Sequence, residues 1–184
     1  MIKKNISIIL DEVKVVLKNV SEREVGGLIK AVLESDTVVV CGAGRVGMAV
    51  RGFGMRLGHL GLRAHTLGDS TVPSIGKGDL LLVASGSGET QTIFDLCVIA
   101  KKNGARVALV TGNPESRMGK LADVIVKLKA PSKTKKVRGL KSVQPMTTLN
   151  EQCLGIFFDA VVLVLMDKMN ETHDTMWQRH SNLE

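Results

Sequence analysis

Four hydroxyl side chains, two glycines and an acid are packed into 85-SGSGETQT-92, directly after the apolar run 80-LLLVA-84. Such a junction of strand and helix exposes the unpaired N–H groups and positive partial charge of a helix start. Gly86 and Gly88 let backbone fold around an anion, and Ser85, Ser87 and Thr90 add neutral donors. No Lys and no G-K-[ST] ending follow, so a Walker loop is excluded and a single terminal phosphate is the fitting guest. Spacing alone leaves a second reading open: Ser87 as an ordinary N-cap, with Glu89 in the favourable first turn. A second glycine turn, 42-GAGRVG-47, follows 38-VVVC-41 and has the G-x-G-x-x-G spacing. A dinucleotide site would need an acid at the end of the next strand. That strand, 63-RAHTL-67, has none, and Asp69 falls in the loop after it. The turn therefore reads as close backbone packing, as the floor of an anion site, or both.

Few other residues suit chemistry. Glu151 sits just after Pro145 at the start of a long apolar stretch. It is either a general base or the second half of a Thr148-x-x-Glu151 capping box. Arg45, in the first glycine turn, suits a phosphate or a substrate hydroxyl, or is a surface residue at a helix start. His59, His65, His173 and His180 are scattered, and only His180 is kept as a candidate. Cys41, Cys97 and Cys153 are far apart without metal spacing, so they read as buried thiols of a reducing cytoplasm, and no metal site is expected. Met48, Met55 and Met118 read as core or interface filler. The lone Trp177 is a candidate anchor for the C-terminal tail.

The elements that must position these residues follow from periodicity. Ile6, Ile9, Leu10, Val13, Val16, Leu17 and Val20 predict a first helix, and Ser21 with Glu24 a capping box for a second, to about Leu33. Strands are expected at 37–41, 63–67, 79–84, 105–110 and 123–128. Helices are expected between the first pair and the third and fourth, with a short one near 115–122. Strands alternating with helices imply a parallel sheet covered on both faces. A last helix, about 148–170, is apolar on nearly every side and must be buried in the domain or between subunits.

Composition bounds the rest. The chain of 184 residues is 44% hydrophobic but only 3% aromatic, so one aliphatic-cored domain is expected. No apolar run is expected to reach membrane-span length, and charged residues interrupt the N-terminal segment too early for a signal peptide. The formal net charge is +7, and the segment 127–141 carries seven Lys/Arg and no acid. Without aromatic residues to stack bases, this run reads as a solvated loop or as an attractor of phosphorylated substrate, not as a nucleic-acid patch.

The strand–SGSGET–helix unit in a five-stranded parallel sheet resembles a SIS (sugar isomerase) domain. The stretches 45-RVGMAVRGFGMRLGHLG-61, 144-QPMTTLNEQ-152, 158-FDAVVLVLM-166 and 179-RHSNLE-184 narrow the resemblance to the 6-phospho-3-hexuloisomerase family. It implies one α/β domain over 1–184 in flavodoxin-like order, with N-terminal helices in 1–35, the sheet core in 36–128, and C-terminal helices and tail in 148–184. It implies isomerisation of a 3-hexulose 6-phosphate to fructose 6-phosphate through a cis-enediol(ate), without cofactor or metal. Glu151 would carry the proton, and Ser85, Gly86, Ser87, Gly88, Glu89, Thr90, Arg45 and Val46 would bind substrate. His180 would reach a neighbouring subunit's site or anchor the C-terminus. Implied partners are a phosphorylated ketohexose, identical subunits in a homotetramer, and a functional link to 3-hexulose-6-phosphate synthase, with no nucleic acid or membrane. An arabinose 5-phosphate isomerase or a sugar-phosphate sensor paired with a DNA-binding partner are the rival expectations. Two departures stand out. Val46 replaces the family's usual Ser, and 147-TTLN-150 lacks the usual Gly after Met146.

Overall fold

Short aliphatic runs, buried on both faces, build the sheet. In the computed structural model, which describes residues 1–132, 137 and 140–183, five strands form: β1 (Val38–Gly42), β2 (Ala64–Thr66), β3 (Leu80–Ala84), β4 (Arg106–Thr111) and β5 (Val124–Lys127). All pairs are parallel and the order is β2-β1-β3-β4-β5, the flavodoxin-like order expected. Side chains alternate across the sheet. Val38, Val40, Leu80, Leu82 and Ala84 face one core, and Val39, Cys41, Leu81 and Val83 face the other.

The first core is closed by α1 (Ile2–Leu17), α2 (Glu22–Leu33), α3 (Gly44–His59) and α6 (Thr148–Met169); the second by α4 (Gln91–Lys102) and α5 (Arg117–Leu121). Phe53 of α3 stacks on Phe158 of α6 with centroids 4.6 Å apart. A short α7 (His173–Trp177) follows. Burial drives the three thiols upward, to about 12 for Cys41 and Cys153 and about 11 for Cys97, so all stay protonated.

Two expectations change. The capping box at Ser21 is half-formed: Ser21 accepts from the Glu24 N–H, but the Glu24 carboxylate accepts from the Lys127 N–H at 2.8 Å instead. Tying α2 to β5 competes successfully with local capping. The apolar run of α6 does reach membrane-span length, with a mean hydropathy of 1.6, but half of that window is buried inside the domain against other helices. Met118 is core, whereas Met48 and Met55 are exposed on α3. Of the basic run 127–141, residues 133–136, 138 and 139, with four of its seven Lys/Arg, lie outside the described residues.

Candidate functional site

The chain leaves β1 for one face of the sheet and β3 for the other, which opens a crevice between their C-terminal ends. Gly42 and Ala84 pair across that seam, so both glycine loops start side by side. In the first, a Cβ on Gly47 would lie 2.5 Å from the Gly42 carbonyl oxygen, so α3 approaches β1 only because both residues are glycine. α3 then begins at Gly44 behind Ala43, with no side-chain cap.

The second loop is braced from β4. The Gly112 N–H donates to the Gly86 carbonyl at 3.1 Å, and the Thr111 hydroxyl reaches the same oxygen. Ser85 accepts from the Gly88 N–H and Ser87 from the Glu89 N–H, leaving both hydroxyl hydrogens to donate elsewhere. The N-cap of α4 is not Ser87 but Thr90. Gly88, at φ +67, turns the chain before a helix can start, and the Glu89 carboxylate is drawn to Arg117 at 2.8 Å. Those hydrogen bonds hold the Glu89 carboxyl below its ordinary range.

A cavity of roughly 430 Å³ lies between the two loops and the start of α6. Its lining includes Arg45, Val46, Ser85, Gly86, Ser87, Thr90, Thr147, Asn150 and Glu151. Ala43, Thr90 and Thr147, the N-cap residues of α3, α4 and α6, all line it, so three helix N-termini converge on one space. Their free N–H groups and dipoles favour an anion there. A second cavity, of about 280 Å³ between α4 and the 68–78 loop, is lined mostly by apolar residues, with Ser74 and Asn103 and, among the described residues, no ionisable side chain.

Among the described residues Glu151 is the one carboxylate on the first cavity's lining, and its side chain is 12% exposed. The Thr148–Glu151 capping box does not form: Thr147 occupies the N-cap position, and no side chain caps the helix. Instead the Thr147 hydroxyl donates to Glu151 Oε1 at 2.7 Å. Arg45 Nε lies 2.8 Å from Oε2 in an ion pair without aligned N–H···O geometry, so Oε2 accepts no hydrogen bond. The segment before α6 is held by Glu12 of α1, which accepts from Ser142, Val143 and Gln144.

Six of the expected loop and turn residues thus line one cavity with Glu151: Ser85, Gly86, Ser87, Thr90, Arg45 and Val46. Gly88 and Glu89 stand behind the loop, as its turn and its brace. His180 stacks on Trp177 and packs at a tilt against His59, at the opposite end of α3, so the tail closes on that end of its own chain. Sequence reasoning missed Ser132, Thr147 and Asn150. Asn150 had a signal, a polar residue among the buried Leu149, Cys153 and Leu154 of an apolar helix.

A SIS domain family model matches residues 32–154. A 3-hexulose-6-phosphate isomerase of Mycobacterium gastri is 41% identical over 183 residues, covering 100% of this chain and 92% of the relative. That of Bacillus subtilis is 39% identical over 176 residues, covering 96% and 95%. Among solved structures, a Methanococcus jannaschii protein described as inferring a 3-hexulose-6-phosphate isomerase function superposes with a TM-score of 0.85 at 26% identity, covering 98% of this chain and 99% of that one.

Proposed function

The chain belongs to the SIS domain family, and on that premise we propose that it interconverts a 3-hexulose 6-phosphate and fructose 6-phosphate. One observation carries the reading. Among the described residues a single carboxylate, Glu151, lines a cavity where three helix N-termini meet, with one oxygen held by Thr147 and the other ion-paired with Arg45 at 2.8 Å. A phosphate seats against Ser85, Ser87 and Thr90, which offer only neutral donors. Glu151 Oε2 then takes the proton from C2, beside the C3 ketone, and the electron pair of that bond forms the C2–C3 double bond of a cis-enediolate. The hydroxyl proton moves from O2 to O3. Glu151 returns its proton to C3, and the carbonyl is left at C2. Arg45 and the helix N-termini face the charge that develops on the enediolate oxygens. A synthase that joins formaldehyde to a pentulose phosphate would supply such a substrate. The relatives' names and the cavity's donors support this reading together.

The test is incubation with fructose 6-phosphate in D2O, followed by NMR. The expected result is a new 3-ketose phosphate, with deuterium at C3 of the remaining fructose 6-phosphate wherever the proton on Glu151 exchanges with solvent before it is returned. Exchange at C1 alone would mean aldose–ketose chemistry, and the absence of both a 3-ketose product and exchange at C3 would overturn the proposal.

A further inference from the structure

Asn150 is 2% exposed, lines the cavity and precedes Glu151 on the first turn of α6. Its carboxamide lies against the backbone of Gly86: a Cβ there would sit 3.0 Å from Oδ1. Oδ1 itself is buried and has no hydrogen-bond partner. Four side-chain oxygens share that condition among the described residues, those of Gln144, Asn150, Glu151 and Gln152, but only Asn150 and Glu151 line the cavity. A buried acceptor without a donor is costly, and such atoms are retained where a ligand satisfies them. Gly86, the backbone beside it, has no side chain to offer a donor, and Oδ1 accepts no hydrogen bond from the main chain either.

The chemistry of the missing partner follows. An acceptor repels the oxygens of a phosphate dianion and attracts a hydroxyl. The serine loop beyond Gly86 offers the opposite character, donors without a charge. We propose that Asn150 is a specificity-determining residue. It accepts a hydrogen bond from a sugar hydroxyl at the seam between the phosphate loop and Glu151, so the cavity recognises a hydroxylated chain beyond the phosphate itself. This assignment rests on the reading that the cavity takes a sugar phosphate. It gives a polar position on α6 a purpose that packing alone does not.

The test is calorimetric binding of fructose 6-phosphate and of inorganic phosphate to the full chain. Asn150→Leu keeps the volume and removes the oxygen; Asn150→Ala removes it without added bulk. Both should weaken fructose 6-phosphate on the order of tenfold, the scale of one buried hydrogen bond, and leave inorganic phosphate within about twofold. Ser87→Ala should weaken both ligands. The melting temperature of Asn150→Leu should hold or rise, because an unpaired polar atom leaves the interior. Equal weakening of both ligands, or no change in either, overturns the assignment. So does a parent protein that binds fructose 6-phosphate no more tightly than inorganic phosphate. If the Leu variant does not fold, the Ala variant decides by the same ratio. The readout is binding, so a parent that binds fructose 6-phosphate without isomerising it removes the proposed reaction and still decides this residue.

Discussion

Glu151 and its two neighbours give the site its asymmetry. Thr147 commits one carboxylate oxygen and Arg45 lies beside the other without a hydrogen bond. Glu151→Gln keeps the shape and the contact with Thr147 but loses the basic oxygen. Turnover should fall about a hundredfold or more, while the melting temperature moves by only a few degrees at most, about 1 kcal/mol. Paired melting curves and turnover numbers check this. A variant that stays active but melts early would make the carboxylate structural. Thr147→Val removes the hydroxyl in an equal volume. We expect turnover to drop roughly five- to tenfold, the kinetic equivalent of about one hydrogen bond, with KM little changed. Thr147→Ser should restore it. A Val variant with the parent's turnover would show that Glu151 Oε1 needs no orienting donor.

At the scale of elements, the site depends on how helices are tied to the sheet. No residue of α1 lines the cavity, yet its Glu12 holds the segment that leads into α6. Burial works against ionisation of Glu12, but bonds from Ser142, Gln144 and Val143 outweigh it and hold the carboxyl below its ordinary range. The sign follows from that direction. The contribution is complete above the ordinary glutamate range and is lost as pH falls through the lowered folded-state value. Glu12→Gln should therefore cost about 1 kcal/mol at neutral pH, solvent screening included, and the gap to the parent should close on acidification. Denaturant titrations from pH 7 to pH 3 check it, and a constant gap would contradict it. Within α3, two glycines should respond with opposite signs. Gly47→Ala drives a Cβ to 2.5 Å from the Gly42 carbonyl and should cost about 1–3 kcal/mol. Gly52→Ala meets nothing within 4 Å and should stabilise by up to about 1 kcal/mol. Thermal melts of the pair would refute this packing if both moved the same way.

The whole molecule leaves apolar surface on its two packed helices α1 and α6. Ile6 and Leu10 are exposed on α1, and Ile156 and Leu163 on α6. Side chains of this kind on packed helices are the usual material of a subunit contact. We expect self-association, with a homotetramer as the mass found by light scattering at micromolar concentration. Leu163→Glu should lower that mass. A monomeric parent would remove the expectation, and with it any route by which His180, closed on the far end of its own α3, meets a cavity. At the C-terminal end of α3, Arg179 fixes the tail by pairing with Glu171 and donating to the His59 carbonyl, whereas Trp177 is exposed and stacks on His173 and His180 of the tail itself.

Much of this was legible along the chain, because sheet strands and helix faces are set by local periodicity. The runs 38-VVVC-41 and 80-LLLVA-84 are too short and too apolar to be anything but buried strands between helices, and five of them in alternation with helices leave few arrangements. The serine loop and Glu151 stood out as candidates, but hydroxyls and acids at helix starts also cap helices, and it was the family resemblance that assigned Glu151 the proton. What tertiary structure alone decided is which groups compete for the same atom. Glu24 abandons its cap for Lys127, Glu89 leaves the helix start for Arg117, and Thr147, not Thr148, addresses Glu151. Each outcome depends on a partner supplied by a neighbouring turn or a distant segment, at a distance that spacing along the chain does not encode. The unpaired oxygen of Asn150 belongs to the same class. It is a property of what surrounds the residue, and it came into being only when α6 closed over Gly86.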